Sequence, residues 1–560
     1  MTLGLSIPSS TSSPSTSANQ TPALSTPADR SLDSTAPTTP AISSPAEPNT
    51  DYAAAETVKG FGTRAIHVGS EPDKTTGAVI PPISLSTTFA QSAPGVHSGF
   101  EYSRSDNPNR RALEHALASI EEGVEALAFS SGSAALATVV QSLQFLKKDG
   151  PHQPIHILSI NDVYGGTYRY LKRVGNEVQG LEVTFVDMET ADEETIVKGI
   201  RDDTKLVLVE TPTNPTLKVV SIPLLSRIAH THPAAPLLMV DNTFASPFYQ
   251  NPLKLGADLV LHSLTKYVNG HSDVVMGAVI LPPTTGEHLD GELEEGRGTE
   301  RPVKHPNPEH LEHYYKTLRF MQNALGAVPS AYDSWLAQRG LKTLHLRMKA
   351  HGSNALAVAL GVREWVKEQR RAGRADVKVG IGYAGLPAEK EDDPEFEEDR
   401  VEVKEARKRE IAVQTRRHNL AWEMLSTPAR KWVEKEVRPI QTLHLIRTAP
   451  SLYSITSLSS KTTPPPLGFP YTGMLTVTLP TYEHALRFLQ SLELFTLAES
   501  LGGVESLAEH PASMTHAGIP VEERRRSGVE DGLVRLSVGV EEGEDLVGDV
   551  RRALGKAFEV

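Results

Sequence analysis

The sequence predicts an α/β protein built on a mostly parallel, seven-stranded sheet. Seven short apolar runs follow one another between residues 124 and 280, and helical patterns such as 134–146 and 222–230 separate most of them. Apolar strands that alternate with helices are typical of a parallel sheet covered on both faces. The predicted strands are residues 124–129, 155–159, 183–186, 206–210, 237–241, 259–263 and 276–280.

Composition divides the rest of the chain. Residues 1–59 are rich in Ser, Thr, Pro and Ala without apolar periodicity, so we expect a disordered tail. An N-terminal arm (60–117), the sheet domain (118–323) and a smaller C-terminal α/β domain (324–560) should follow. Three polar stretches are expected to be solvated insertions, at about 283–313, 387–412 and 455–468.

Charge and cysteine content argue against several classes of protein. The 560 residues include 56 Lys and Arg against 69 Asp and Glu, a net charge of −13, which disfavours nucleic acid as a partner. The chain has no cysteine, which excludes disulfides, thiolate metal sites and cysteine nucleophiles. No apolar run approaches the roughly 20 residues that span a bilayer, and no secretion signal is visible. We therefore expect a cytoplasmic protein without a metal site or a membrane partner.

The segment after the sixth predicted strand points to a cofactor. Lys266 follows the apolar run 259–261, with Ser263 and Thr265 on either side. A lysine at the exit of a buried strand is poorly solvated, so its amine tends to be neutral and nucleophilic. Such a lysine beside hydroxyl groups that can donate to a phosphate suggests pyridoxal phosphate. The alternative is a structural lysine at a strand end.

Other strand ends supply groups that suit the same cofactor. The small residues 130–135 precede a helix and would let backbone N–H groups approach a phosphate. Tyr164 is suited to stack on a flat ring, and Asn214 to reach the cofactor's phenolic oxygen. Asp241 would keep a pyridine nitrogen protonated, which makes the ring a strong electron sink. Each feature alone also fits a turn, a core residue or a cap, so the prediction depends on their order along the strand ends.

These residues lie in longer motifs that resemble those of the Cys/Met-metabolism family of pyridoxal-phosphate enzymes, and the motif sequences are most similar to those of the fungal γ-lyases. The resemblance runs from about Phe61 to Phe558 and implies an aspartate-aminotransferase-like (type I) fold. Its motifs include residues 83–89 (ISLSTTF), 101–110 (EYSRSDNPNR), 128–134 (AFSSGSA), 210–216 (ETPTNPT), 269–275 (NGHSDVV) and 534–540 (VRLSVGV).

The resemblance implies a set of cofactor-binding residues. Lys266 would bind the cofactor covalently, Tyr164 would stack on its ring and Asp241 would pair with the ring nitrogen, and these three would also be catalytic. The remaining contacts to the cofactor within the same subunit would come from Gly132, Ser133, Asn214, Thr243, Ser263 and Thr265.

The resemblance also implies shared active sites and a substrate pocket. Tyr102 and Arg104 would reach the phosphate of a neighbouring subunit, in dimers that assemble into a homotetramer. Arg535 would bind the substrate α-carboxylate as a bidentate fork. Beside it, the small-molecule amino-acid substrate would contact Ser500, Glu499 and Asn214.

Three family differences favour γ-elimination of L-cystathionine to L-cysteine, 2-oxobutanoate and ammonia. Members that act at the γ position tend to carry Glu at the position of Glu499. Methionine γ-lyases usually have Cys where Gly166 stands, and acyl-homoserine sulfhydrylases usually read GGHG where residues 269–272 read NGHS. The main alternative is a cystathionine γ-synthase, which joins cysteine to an activated homoserine. An inactive scaffold or interaction protein on the same fold is a further alternative.

Overall fold

The computed structural model describes residues 59–146, 155–283, 302–374, 376–389, 401–448 and 463–559. Except for residue 59, the predicted N-terminal tail lies outside the described residues. Most of the first insertion and parts of the other two also lie outside them.

A seven-stranded sheet forms the larger half of the fold, and the predicted class is confirmed. The strand order is β1-β7-β6-β5-β4-β2-β3, and all neighbouring pairs are parallel except the two made by β7. The strands are β1 (Glu125–Phe129), β2 (His156–Ile160), β3 (Glu182–Val186), β4 (Thr204–Glu210), β5 (Leu237–Asp241), β6 (Leu259–Ser263) and β7 (Gly277–Leu281). Each observed strand lies within two residues of its predicted bounds.

Helices cover both faces of this sheet. Alternate residues of each strand point to opposite faces, so Val209 and Val240 join one apolar cluster while Leu208 and Met239 join the other. The helices up to the end of this region are α1 (Phe61–His67), α2 (Pro108–Ile120), α3 (Gly132–Ser142), α4 (Gly165–Arg169), α5 (Glu193–Gly199), α6 (Ile222–Thr231), α7 (Ser246–Tyr249) and α8 (Pro308–Leu325).

A smaller, mainly antiparallel sheet forms the C-terminal part. Its order is β8-β9-β12-β11-β10, with strands β8 (Gly380–Gly382), β9 (Met474–Thr478), β10 (Thr496–Leu497), β11 (Leu507–Glu509) and β12 (Leu533–Ser537). The helices of this part are α9 (Ala331–Leu341), α10 (Leu344–Arg371), α11 (Val401–Glu423), α12 (Thr427–Trp432), α13 (Arg438–Thr448), α14 (Tyr482–Ser491), α15 (Val521–Arg526) and α16 (Gly543–Ala557).

The predicted N-terminal arm is only partly extended. Its first residues form α1, and the Phe61 ring packs on that of Phe248 with centroids 5.8 Å apart. Its last residues open α2, where the Asn107 side chain caps the helix by accepting from the N–H groups of Asn109 and Arg110. The segment between the two helices is extended only in part, because it contains hydrogen-bonded turns at residues 73–78 and 102–106 and a two-stranded hairpin made by residues 91–93 and 96–97.

Two predicted insertions overlap regular structure. Residues 308–313 of the first one open α8, and residues 401–412 of the second one open α11. Polarity alone suggested a loop at both places, but a helix with one exposed face is equally polar along that face. Within the described ranges, no helix is both long and apolar enough to cross a bilayer.

Candidate active site

Lys266 lies three residues beyond the end of β6, in a turn closed by its N–H on the carbonyl of Ser263 at 3.2 Å. Its Nζ donates to Ser500 Oγ at 2.9 Å. Burial, together with the positive charge of Arg535, lowers the pKa of Lys266 to about 8. An amine in this environment is far more often neutral at physiological pH than an exposed lysine, so it is a better nucleophile.

Three strand and helix ends meet beside Lys266. A Cβ atom added to Gly132, the first residue of α3, would lie 3.2 Å from the Ser263 Cβ at the end of β6. One added to Gly277, at the start of β7, would lie only 2.6 Å from the Gly132 Cα. Both glycines therefore permit a backbone approach that a larger residue would block.

The N-terminus of α3 offers backbone donors at this junction. Ser131 caps the helix, with its Oγ accepting from the Ala134 N–H at 3.0 Å. The N–H groups of Gly132 and Ser133 belong to the first turn, where helical backbone donors lack intrahelical partners. A helix N-terminus with small residues and a nearby hydroxyl on Ser263 is suited to bind a phosphate.

Hydroxyl groups brace the two strand ends that carry Asp241 and Lys266. Thr243 Oγ1 accepts from the Ser263 N–H at 2.9 Å, which ties the end of β5 to the end of β6. Thr265 Oγ1 accepts from the Met276 N–H at 3.1 Å. The turn that carries Lys266 is thus fixed to both neighbouring strands.

Asp241 closes β5 and accepts a hydrogen bond from the Thr243 N–H at 3.0 Å. Burial raises the pKa of the Asp241 carboxyl, although hydrogen bonds from Thr243 and the charge of His262 act in the opposite direction. A half-buried carboxyl of this kind gains stability in its charged form when a cation is placed against it. A protonated pyridine nitrogen would be such a cation.

Tyr164 stands at the start of α4 with 40% of its surface exposed. A side chain on Gly166 would overlap the Tyr164 ring, so the glycine leaves room for that ring to lie flat over the turn. The Tyr164 N–H donates to Glu210 Oε2 at 2.9 Å. The aromatic face therefore stays available for stacking while its backbone is held.

Arg535, on β12, is buried at 2% exposure next to Lys266. Its Nη1 donates to Asn214 Oδ1 at 2.8 Å, and its Nη2 donates to the Ser500 carbonyl at 2.9 Å. Nη2 also forms an ion pair with Glu509, which stands opposite Arg535 on β11. The structure thus gathers Lys266, Asn214, Ser500 and Arg535 into one contact network.

The loop before Gly502 brings Glu499 towards the same network. Ser500 has a φ of 98°, a conformation that non-glycine residues rarely adopt and that neighbouring contacts must maintain. Glu499 is exposed to solvent, and its negative charge acts on Lys266. It therefore lies at an open side of the Lys266 site.

Tyr102 and Arg104 stand apart from this network. Both are exposed, and Arg104 donates to the Asn323 carbonyl at 3.3 Å. Its guanidinium carbon lies 5.7 Å from the centroid of the Tyr102 ring. Within the described part of one chain, these side-chain contacts join the two residues to each other and to the end of α8, and none reaches Lys266.

Sequence reasoning missed two carboxylates of the site, Glu210 and Glu509. Glu210 stands in register with Asp241 on neighbouring parallel strands, and Glu509 stands opposite Arg535. Glu210 is the first residue of the motif at 210–216, so the motif itself pointed to this residue. Only the strand register, however, places it beside Asp241. Nothing in the sequence linked Glu509 to an arginine 26 residues away.

The groups assembled here fit pyridoxal phosphate. Lys266 is a half-buried amine whose lowered pKa suits condensation with an aldehyde. Asp241 is a half-buried carboxyl that a pyridinium would neutralise, and Tyr164 presents a ring face. Gly132, at the N-terminus of α3, lies close to the Ser263 hydroxyl, so backbone N–H groups and a hydroxyl meet where a phosphate would bind.

Comparison with known proteins agrees with this chemistry. A model of the family described as Cys/Met metabolism PLP-dependent enzymes matches residues 62–398 and 469–555. A human protein named cystathionine gamma-lyase is 40% identical over 501 residues, which cover 89% of this chain and 94% of the human protein.

Solved structures give the same result. The crystal structure of cystathionine gamma-lyase from yeast matches with a TM-score of 0.64 and 38% identity, covering 90% of this chain and 99% of that one. A cystathionine gamma synthase from Xanthomonas oryzae pv. oryzae matches with a TM-score of 0.64 and 31% identity, covering 89% and 98%. The chain belongs to the Cys/Met-metabolism family of pyridoxal-phosphate-dependent enzymes.

Proposed function

We propose that this protein is a carbon–sulfur lyase that cleaves L-cystathionine by γ-elimination, with water, to L-cysteine, 2-oxobutanoate and ammonia. The observation that carries the proposal is the layout around Lys266, with the buried Arg535 on one side and the exposed Glu499 on an open side. Cystathionine is an amino acid with a second amino group at its far end, so it matches a buried cation and an outer carboxylate. The relatives named cystathionine gamma-lyase support this choice.

Pyridoxal phosphate, when bound, supplies an electron sink that stabilises negative charge at the substrate carbons. Asp241 sustains this sink by holding the proton on the ring nitrogen. Lys266 Nζ acts as the base that takes up the Cα proton, and Ser500 Oγ at 2.9 Å orients its lone pair. A pKa of about 8 is close to the optimum for a base that must both accept and return protons near neutral pH.

Arg535 holds the substrate. Its Nε is buried without a hydrogen-bond partner among the described residues. An unsatisfied buried donor costs about 1–3 kcal/mol, and a substrate α-carboxylate would remove that cost. Glu509 and Asn214 keep the guanidinium plane in place, so the carboxylate meets a preorganised donor.

A cystathionine γ-synthase is the second candidate, because the chain is also 31% identical to a solved γ-synthase. Both reactions begin with removal of the Cα proton, so Lys266, Asp241 and Arg535 serve either one. The inactive-scaffold alternative is disfavoured, because the described site keeps a base, a ring-nitrogen partner and a carboxylate-binding cation together.

The proposal extends to assembly and location. We infer a homotetramer of dimers with shared active sites, in the cytoplasm. The segment between α1 and α2 supports the assembly, because Val79 and Leu85 expose 71% and 73% of their surfaces. Tyr102 and Arg104 follow on the same segment without reaching their own Lys266. A neighbouring subunit would cover this apolar surface, and the phosphate bound in that subunit would pair with the Arg104 guanidinium.

Initial rates distinguish the two reactions. The purified protein is supplied with cystathionine in one assay, and with cysteine and an acyl-homoserine in another. Release of 2-oxobutanoate from cystathionine should be the faster reaction. Faster formation of cystathionine would mean that the protein is a γ-synthase rather than a γ-lyase. Inactivity in both assays with cofactor bound would favour the inactive-scaffold alternative.

A further inference from the structure

A second carboxyl group lies beside Asp241. Glu210 is the last residue of β4, is 5% exposed, and pairs in register with Asp241 on the parallel strand β5. Adjacent strands are about 4.8 Å apart, and residues in register point to the same face of a sheet. The two side chains therefore leave the sheet next to each other, where β4 and β5 end.

Few charges are available to compensate Glu210. In the part of the chain that the structure describes, Glu210 forms no ion pair with a Lys or Arg side chain; the nearby Lys218 and Arg535 are paired with other carboxylates. The charged groups that act on it are Asp241 and the buried Asp162 on the acidic side, and Arg535 on the basic side. Arg535 is already ion-paired with Glu509.

Glu210 has a definite structural task. Its Oε2 accepts the N–H of Tyr164 at 2.9 Å, at the start of α4. The carboxyl group thereby links the end of β4, where Asp241 is its neighbour, to the turn that presents the stacking ring. A single side chain thus stands between Asp241, which would pair with the ring nitrogen, and the turn of Tyr164, which would stack on the ring.

We propose that Glu210 is a positioning residue that remains a neutral carboxylic acid next to an ionised Asp241 and anchors the turn of Tyr164, so that one negative charge rather than two faces the ring nitrogen. This inference rests on the proposed pairing of Asp241 with that nitrogen. A buried carboxylate and a half-buried one side by side cannot both ionise without an electrostatic cost. Burial first, and the charge of Asp241 second, raise the pKa of Glu210 well above its usual value.

The neutral acid has a consequence for the cofactor. A single carboxylate matches the single positive charge of a protonated pyridine nitrogen. A second ionised group would leave a buried negative charge without a partner and would alter the electron demand of the ring. Glu210 as an acid holds the Tyr164 turn without adding that charge.

The test compares Glu210→Gln and Glu210→Ala in the cofactor-loaded protein. Glutamine is neutral, has nearly the same shape and can still accept from Tyr164. We expect Glu210→Gln to keep the visible absorption band of the bound cofactor, its pH titration and its affinity. Glu210→Ala should weaken cofactor binding about tenfold, because the N–H of Tyr164 loses its buried acceptor.

Infrared difference spectra provide a direct readout of protonation. The wild type minus Glu210→Gln spectrum should contain the carbonyl stretch of a neutral carboxylic acid near neutral pH. A carboxylate signal instead, or a shifted absorption titration in Glu210→Gln, would overturn the proposal. If Glu210→Ala does not fold, these two measurements still decide. A wild type that fails to bind pyridoxal phosphate would instead refute the proposed function.

Discussion

Removal of Glu509 should destabilise the protein because it leaves Arg535 charged and buried. The Glu509 side chain is 1% exposed and that of Arg535 is 2% exposed. Breaking a buried ion pair by removing one partner costs about 3–5 kcal/mol, since the other charge is left without compensation. Arg535 keeps only its bonds to Asn214 and the Ser500 carbonyl, which are neutral acceptors.

Two variants separate the charge from the hydrogen bond. Glu509→Gln retains one acceptor oxygen for Arg535, and its amide NH2 can donate to the Thr515 hydroxyl, which in the wild type donates to the other Glu509 oxygen. Its cost should fall to about 1–3 kcal/mol. Because a folded domain is stable by only about 5–15 kcal/mol, both losses should lower the melting temperature measurably.

The assay is thermal unfolding of the cofactor-loaded protein, with Glu499→Ala as the control because Glu499 is an exposed carboxylate of the same site. The expected order of melting temperatures is wild type and Glu499→Ala highest, Glu509→Gln lower and Glu509→Ala lowest. The KM for cystathionine should rise in both Glu509 variants as Arg535 loses its fixed orientation. A Glu509→Ala protein that melts with the wild type would refute the buried-pair reasoning.

Three further predictions follow from the site. The rate at which the cofactor-free protein condenses with pyridoxal phosphate should rise with pH and level off above about 8, because the Lys266 amine must be deprotonated; a rise that continues to pH 10 would indicate an ordinary exposed lysine. Glu499→Ala should raise the KM for cystathionine by a few-fold, consistent with about 0.2–1 kcal/mol for an exposed charge pair, and should leave the KM for homoserine unchanged. Equal effects on the two KM values would show that Glu499 does not recognise the distal ammonium. Arg104→Ala should bind cofactor weakly, and mixing it with Lys266→Ala should restore part of the activity through hybrid sites; confirmed hybrids without activity would argue against shared sites.

Strand positions were predictable because both faces of a parallel sheet are buried. Residues 206–209 and 237–240 are unbroken apolar runs, and they form most of β4 and β5. The strand ends were informative for the same reason. A polar residue at the end of a buried run or a few residues beyond it, such as Asp241 or Lys266, lies at the edge of the sheet where ligands bind.

Pairing between distant segments was not predictable. The sequence contains Glu210 and Glu509, but only strand register places them beside Asp241 and Arg535. Helix α1 was missed because its apolar stripe is only two turns long, with Phe61 and Ala65 four residues apart. The start of α11 was read as a loop because its exposed face is highly charged, and charge pattern does not distinguish such a helix from a solvated insertion.

Mapping the site of cofactor attachment shows directly which lysine binds pyridoxal phosphate. The loaded protein is reduced with borohydride and digested, and the peptides are identified by mass spectrometry. Lys218 serves as an internal comparison, because it is buried but its Nζ is ion-paired with Asp187 at 2.9 Å. We expect a reduced pyridoxyl group on Lys266 alone, and we expect Lys266→Ala to lose both this group and turnover. Attachment at another lysine, or turnover by Lys266→Ala, would contradict it.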